Sequence, residues 1–245
     1  LLDEVWTDRP ALVHQPADVL KDEFNGEATA SKLARVREQM EKEEAQYHII
    51  STLDDIAWIL NVRGNDIPHV PVVLSFLVIG KEDAMWFVEE NALSDAVKEM
   101  AAECGITIRP YEDVYAYAAT IPEHSTVLLD KRKVNYRITN ALSETVHIVS
   151  KANPSQLMKA IKNEIELENT RKAHLLDGIA VTKFMYWLKK NVGKIPMDEV
   201  SVSDYLQSLR EQMEGYRDIS FDTIAGYNAN AAMMHYKAEP DTAAK

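Results

Sequence analysis

Short apolar segments alternate with segments of helical spacing between residues 47 and 149. A sheet buries its apolar faces against another layer, so this alternation predicts an α/β layered domain. The predicted strands are residues 47–51, 71–80, 84–88, 106–110, 126–130 and 146–149, and the predicted helices are residues 31–45, 53–61, 92–102 and 113–119. Residues 28–151 are therefore predicted to form one domain. Residues 1–27, which contain Pro10, Pro16 and Gly26, are predicted to be a linker before it.

The character of the sequence changes after Asn153-Pro154. Residues 155–191 are nearly free of helix breakers and carry apolar residues at helical spacing, which predicts one or two long helices. Ser201, three residues before Asp204, predicts the N-cap of a further helix that runs to about Met213. Residues 219–225 and 231–236 are β-rich and flank a turn-forming segment, so we expect paired strands there. Residues 152–245 are thus predicted to begin a second domain that is incomplete in this sequence.

Charge and hydropathy exclude several partners. The net charge of −12 would repel a phosphate backbone, which argues against nucleic acid. The longest apolar run, residues 71–80 (PVVLSFLVIG), is far shorter than the roughly 20 residues that cross a bilayer. The first residues lack a basic leader, and the single cysteine, Cys104, permits no internal disulfide. We therefore expect a cytoplasmic protein without a membrane partner.

Standard catalytic and metal-binding motifs are absent from the sequence, and the seven histidines show no metal-ligand spacing. Carboxylates do cluster, and hard cations prefer such oxygen ligands. The clusters are Asp54 with Asp55, Glu164 with Glu166 and Glu168, Asp218 with Asp222, and Glu239 with Asp241. We expect Asp54 and Asp55 to begin a helix, where they meet its dipole, and the glutamates to face water.

Two segments hold candidate site residues. Residues 63–66 (RGND) form a predicted loop, in which we expect Gly64 to take a left-handed turn and Arg63 to pair with Asp66. His235 ends the second predicted strand of residues 219–236, and an imidazole at a strand end can donate to a carbonyl or transfer a proton. A histidine bonded only to backbone is equally compatible with that position.

Several ordered segments resemble the three-domain, cytosolic-type Xaa-Pro aminopeptidases (aminopeptidase P), relatives of prolidase, creatinase and methionine aminopeptidase. The resemblance covers the whole sequence. It rests on residues 2–10 (LDEVWTDRP), 53–67 (LDDIAWILNVRGNDI), 153–154 (NP), 159–164 (KAIKNE), 171–174 (RKAH), 177–178 (DG), 220–226 (SFxTIxG), 230–232 (NAA) and 235–236 (HY).

This resemblance implies the fold. Residues 28–151 would be the second creatinase-type N-terminal domain, a mixed sheet with flanking helices. Residues 152–245 would be the truncated start of the α+β "pita-bread" catalytic domain.

The resemblance also implies a metallopeptidase that removes the N-terminal residue from peptides with proline in the second position. In the family two divalent ions, usually manganese, share a hydroxide that attacks the carbonyl before proline. Their ligands lie beyond the family's His-Tyr motif, so no metal-binding or catalytic residue is carried over, and we expect no bound metal and no activity in this chain alone. His235 maps to a residue that lines the substrate pocket, which favours a substrate-binding role. The intact family enzyme is typically a homodimer.

Two other functions remain open at this stage. The chain could be a noncatalytic binding module of creatinase-like fold, or part of a prolidase-type dipeptidase. The segments at residues 6–10 and 61–66 favour aminopeptidase P over prolidase.

Overall fold

The computed structural model describes residues 2–245, which divide into a first compact unit ending at Glu166 and a second unit, Leu167–Lys245. The helices are α1 (Leu2–Val5), α2 (Asp22–Asn25), α3 (Thr29–Lys42), α4 (Leu53–Leu60), α5 (Asp95–Glu103), α6 (Asp113–Ala119), α7 (Tyr136–Ala141), α8 (Pro154–Ala160), α9 (Glu164–Asn191) and α10 (Glu199–Glu211). The strands are β1 (Asp18–Val19), β2 (Tyr47–Ile50), β3 (Val62–Arg63), β4 (Ser75–Gly80), β5 (Ala84–Val88), β6 (Ile106–Arg109), β7 (Thr126–Leu129) and β8 (His147–Ser150). Short 3₁₀ helices span Glu90–Ala92 and Asn228–Ala232.

The first unit is built on a six-stranded sheet in the order β6-β5-β4-β2-β7-β8. Strand β4 runs antiparallel to both β2 and β5, whereas β5–β6, β2–β7 and β7–β8 are parallel pairs. The predicted mixed sheet with flanking helices is therefore confirmed.

Helices cover both faces of this sheet. Successive strand side chains point to opposite faces, so β2 divides its residues between two cores. Ile50 belongs to the core that includes residues of α3, α4 and α5, and Ile49 belongs to the core that includes residues of α6 and α7. Fully buried Trp86 and Phe87 on β5 are divided in the same way.

Part of the predicted linker is packed on the first unit. Strand β1 pairs antiparallel with β3, with Asp18 opposite Arg63 and Val19 opposite Val62. The side-chain amide of Asn163 donates to the carbonyl of Asn25 at 2.8 Å.

Helix α8 packs against α3 and α4, so residues 152–166 lie in the first unit, although we assigned them to the second domain. The assignment of residues 28–151 and 152–245 to two separate domains stays a prediction.

The second unit is organised by α9 and α10. Ala180 on α9 and Leu206 and Leu209 on α10 are buried, and the rings of Trp187 and Tyr205 lie 4.0 Å apart between centroids. Such ring contacts add to the stabilisation that area burial alone supplies. In the part of the chain that the structure describes, no helix combines the length and apolarity needed to cross a membrane.

The N-cap prediction for α10 is wrong by three residues. Asp198 is the N-cap, and its side chain accepts a hydrogen bond from the backbone N–H of Ser201 at 2.8 Å. Ser201 returns the bond, because its hydroxyl lies 2.9 Å from the backbone N–H of Asp198 and accepts from it. The serine is therefore the second member of a capping box and the aspartate before it is the first.

The paired strands predicted at residues 219–225 and 231–236 are also wrong. Within the described residues of the second unit there is no strand, and the turn between the two segments closes as the 3₁₀ helix Asn228–Ala232. A strand needs a neighbour to satisfy its backbone groups. Here the segment is held by the side chain of Glu199, as described below.

Candidate functional site

His235 lies in an irregular segment of the second unit, three residues after the 3₁₀ helix. Its side chain is exposed, and its φ of +54° places the backbone in the left-handed region. This conformation costs a residue with a Cβ on the order of 1 kcal/mol, so the surrounding contacts must hold it in place. The predicted strand end is not formed, but His235 is presented to solvent.

The residue that organises this segment is Glu199, the first residue of α10, which is 5% exposed. Its carboxylate accepts the backbone N–H of Tyr227 at 2.5 Å, the hydroxyl of Tyr236 at 2.6 Å and the backbone N–H of Ala244 at 2.9 Å. The amide of Asn230 donates to both carboxylate oxygens, at 3.2 and 3.0 Å. One buried carboxylate thus gathers donors from across residues 227–244.

The electrostatics of the pair formed by Glu199 and Tyr236 follow from this geometry. Burial raises the pKa of Glu199, but the hydrogen bonds from Tyr236, Ala244, Tyr227 and Asn230 favour the charged form and lower the pKa to about 2. The hydrogen bond between the two side chains raises the pKa of Tyr236 to about 12, because an ionised phenol would face the negative carboxylate of Glu199. Near neutral pH the glutamate is charged and the tyrosine keeps its proton.

A cavity of about 350 Å³ lies in the same unit, between α9 and the residues that follow α10. Its charged lining includes Asp177 and Arg210, whose side chains form a two-pronged ion pair with distances of 2.6 Å from Nε to Oδ1 and 3.4 Å from Nη2 to Oδ2. His235 does not line this cavity. Asp177 belongs to one of the segments that carry the sequence resemblance, and the structure gives it a structural partner.

The predicted pair of Arg63 and Asp66 is wrong. The guanidinium of Arg63 donates to the carbonyls of Ala57 and Val62, at 2.7 and 3.0 Å. Gly64 does not take a positive φ. The left-handed residue is Asn61, with φ of +53°, which caps the C-terminus of α4.

Asp66 instead joins two parts of the first unit. Its buried carboxylate accepts the backbone N–H of Gln15 at 2.6 Å and that of Leu74 at 2.7 Å. The second bond ties Leu74 to this loop, and strand β4 begins at the next residue, Ser75, and not at residue 71 as predicted.

The first carboxylate cluster is structural, as predicted. Asp54 and Asp55 lie in the first turn of α4, and Asp55 is buried. Asp55 accepts hydrogen bonds from Thr52 at 2.5 Å and from Asn153 at 3.1 Å, and Lys159 pairs with both aspartates. This group ties α4 to the start of α8.

Of the predicted water-facing glutamates, Glu164 and Glu168 are exposed. Glu166 is half-buried, and its carboxylate accepts the backbone N–H of Asn163 at 3.0 Å. Across residues 2–245, no group of three or more histidine, cysteine, aspartate or glutamate side chains is arranged to hold a metal ion. The residues present therefore do not fit a dinuclear metal centre.

Sequence reasoning missed Glu199. Its donors lie 28 to 45 residues further along the chain, so no local spacing marks it. The nearest signal was the adjacent capping box, which we placed on the wrong residues.

Comparisons with known proteins match both units. Residues 8–166 match the family described as Creatinase/Prolidase N-terminal domain, and residues 168–245 match Metallopeptidase family M24. A protein of Neurospora crassa named Probable Xaa-Pro aminopeptidase P is 36% identical over 98% of this chain and 37% of its own length. Xaa-Pro aminopeptidase 1 of Dictyostelium discoideum is 35% identical over 92% of this chain and 36% of its own length.

A solved structure gives the same result. The X-prolyl aminopeptidase of Caenorhabditis elegans, described as a cytosolic enzyme with a di-nuclear active site, superimposes with a TM-score of 0.82 and 30% identity. The match covers 90% of this chain and 37% of that enzyme. The chain thus spans little more than a third of the length of these three proteins.

Proposed function

Because the chain belongs to the creatinase/prolidase N-terminal domain family and its second unit matches metallopeptidase family M24, we propose that the whole protein is an Xaa-Pro aminopeptidase. The reaction is hydrolysis of the peptide bond before a proline in the second position, with release of the N-terminal residue. The observation that carries the proposal is the TM-score of 0.82 at 30% identity over 90% of the chain, against an X-prolyl aminopeptidase. An M24 match alone would leave the substrate class open.

We propose that His235 contacts the peptide substrate. Three observations support this role: the imidazole is exposed, its backbone is held in a strained conformation, and the adjoining Tyr236 is fixed by a buried carboxylate. Strained residues held by their surroundings occur preferentially at functional sites. A neutral imidazole can donate its N–H to a peptide carbonyl, and a proline amide, which has no N–H, offers only that carbonyl.

The cofactors, assembly and location are proposals for the whole enzyme. We propose two divalent metal ions, Mn²⁺ in both positions, in keeping with the family match and with the di-nuclear site described for the Caenorhabditis enzyme. The described residues supply no ligand set for them, so no step on this chain runs through a metal. We also propose a homodimer located in the cytoplasm and acting on proline-containing peptides.

The test is an assay of the full-length protein that contains this chain, with Mn²⁺ added or chelated. We expect release of arginine from Arg-Pro-Pro and none from Arg-Ala-Pro. If the protein cleaves the dipeptide Arg-Pro but not Arg-Pro-Pro, it is a prolidase-type dipeptidase and the proposal is wrong. Binding of Arg-Pro-Pro without cleavage at any Mn²⁺ concentration would replace it with a noncatalytic binding module.

The role of His235 is tested in the same assay. We expect His235→Ala to raise KM for Arg-Pro-Pro, because a contact to bound substrate is lost. His124→Ala is the matched control, since His124 is also exposed and has a φ of +62° but lies in the first unit. An unchanged KM in His235→Ala would remove His235 from the site.

A further inference from the structure

The segment that carries His235 contains no regular strand and is held through side chains. Its 3₁₀ helix Asn228–Ala232 is only five residues long, and Ala231 and Ala232 are exposed. Tyr227, Asn230 and Tyr236 fix this segment through their bonds to Glu199, and Lys237 adds an exposed ion pair with Asp222 at 3.3 Å. His235 directly precedes Tyr236, the last of the three residues bonded to Glu199.

Glu199 is itself held by the start of a capped helix. It is the first residue of α10, and its backbone N–H donates to the carbonyl of Ala244 at 3.2 Å. The capping box of Asp198 and Ser201 fixes the turn on which it stands. A carboxylate at a helix N-terminus is also favoured by the helix dipole. The anchor therefore lies in a regular helix, whereas the anchored segment has no regular element longer than its five-residue 3₁₀ helix.

The chemistry of the site requires a carboxylate. All four groups that reach the side chain are hydrogen-bond donors, and an ionised carboxylate is an acceptor only. A glutamine would turn its NH₂ group toward the backbone N–H of Tyr227 in one orientation and toward that of Ala244 in the other. In either orientation an N–H of the glutamine would face a backbone N–H, and neither group could accept a hydrogen bond.

We propose that Glu199 is a positioning residue that fixes His235 for contact with substrate through Tyr236 and Asn230. The role of His235 in this statement rests on the function proposed above. Glu199 does not touch substrate in this scheme. Its carboxylate sets the place and the strained backbone of the histidine, so that the imidazole need not be ordered when the peptide binds.

The first test uses the full-length protein that contains this chain and does not depend on activity. In Glu199→Gln we expect the NMR signals of the His235 ring to shift and broaden. Trypsin cleavage after Lys237 should accelerate on the order of tenfold, because the segment opens more often. Cleavage after the exposed Lys194 is the internal control and should not change. Unchanged His235 signals together with unchanged cleavage after Lys237 would overturn the proposal.

The second test uses the full-length protein and peptide kinetics. We expect Glu199→Gln to lower kcat/KM for Arg-Pro-Pro by roughly 10- to 100-fold, mainly through KM, as for a misplaced binding group. A purely structural role would lower the amount of folded enzyme, and hence apparent kcat, and leave KM unchanged; that result would overturn the proposal. Glu211→Gln at the exposed end of α10 is the matched control and should retain both constants.

A milder variant guards against unfolding. Tyr236→Phe removes one of the donors and keeps the carboxylate with its other partners, so we expect the same changes at smaller size. If the wild-type enzyme cleaves no Xaa-Pro peptide, the proposed function fails, while the His235 signals and the trypsin rates still decide whether Glu199 positions the histidine.

Discussion

The ammonium group of Lys32 lies 4.3 Å from the centre of the Trp58 ring, inside the first unit. Lys32 is 1% exposed, and its Nζ donates to the carbonyl of Trp58 at 3.0 Å and to Oδ1 of Asn61 at 2.7 Å. These two acceptors and the ring face stabilise the charged ammonium group. Burial lowers the pKa of Lys32 to about 8, against the raising effect of Glu166 and Glu27.

This buried lysine predicts a rise in stability at alkaline pH. Between pH 8 and pH 10.5 the unfolded chain binds a proton that the folded chain has released, so the free energy of unfolding increases with pH there. The full gain in the free energy of unfolding, about 3 kcal/mol, is present above pH 10.5 and absent below pH 8. Urea unfolding should show this rise in the wild type and in Lys42→Met, the exposed control on α3, but not in Lys32→Met. Parallel pH profiles for wild type and Lys32→Met would refute it.

His48 predicts a loss of stability in acid. The side chain is fully buried on β2, where its Nδ1–H donates to the carbonyl of Leu128 at 2.9 Å, and burial lowers its pKa to about 4. As the pH falls from 6.5 toward 4, His48 binds a proton in the unfolded chain but stays neutral in the folded chain. The free energy of unfolding therefore decreases by about 3 kcal/mol over this range. His48→Gln should flatten this part of the urea-unfolding profile, whereas His147→Gln, an exposed change on β8, should not. Equal slopes for the two variants would count against the prediction.

Two glycine substitutions should act with opposite sign. A Cβ on Gly64 would lie 2.7 Å from Cγ2 of Val73 and 3.0 Å from the carbonyl oxygen of Val72. We expect Gly64→Ala to destabilise the first unit by about 1–3 kcal/mol, as overpacking does. Gly178 is inside α9, where such a Cβ would meet no atom within 4 Å other than the backbone of its own helix and its chain neighbours, so Gly178→Ala should stabilise by about 0.5–1 kcal/mol. Thermal unfolding measures the change in stability of both variants. A stabilising Gly64→Ala would contradict the prediction and show that the Val73 side chain moves aside.

The pair of Asp177 and Arg210 should show measurable coupling. Its side chains are 48% and 27% exposed, and the guanidinium meets both carboxylate oxygens. In a double-mutant cycle with Asp177→Asn and Arg210→Gln, we expect a coupling energy of about 0.5–1 kcal/mol. The pair of Lys172 and Glu214, 3.5 Å apart with 59% and 80% exposure, is the matched control and should give a value near zero. Equal coupling in the two cycles would mean that the two-pronged geometry adds nothing.

The elements of the first unit were largely predictable, because local spacing and burial agree there. Helix α6 has the predicted bounds, and β5 likewise. Helix α7 was missed because it is only six residues long, although Asn135 caps it and Val134, Ile138 and Leu142 recur at helical spacing and are buried. That spacing, read together with the cap, was a usable signal.

The second unit was predicted less well, because its irregular part is determined by long-range contacts. The β-forming residues around Ile224 and Met233 favour strands locally, but no partner strand lies in the described residues, and Glu199 fixes the segment in another conformation. His235 was singled out first from its place after a turn-forming segment and then from the resemblance, and its role in substrate binding stays a prediction. Its left-handed backbone has no sequence signature, since histidine does not require it.

The order of strands in the sheet has a consequence for the time course of folding. Strands β4 and β5 are joined by a short turn, and such hairpins form in roughly 1–10 μs. Strand β2, however, must meet β7 across 80 residues, as the bond from His48 to Leu128 records. Contacts so distant in sequence are slow to form, because the entropy of closing the loop is lost before they stabilise anything. We expect the β4–β5 hairpin to be protected from amide exchange early and the β2–β7 seam to be the last part of the sheet to close.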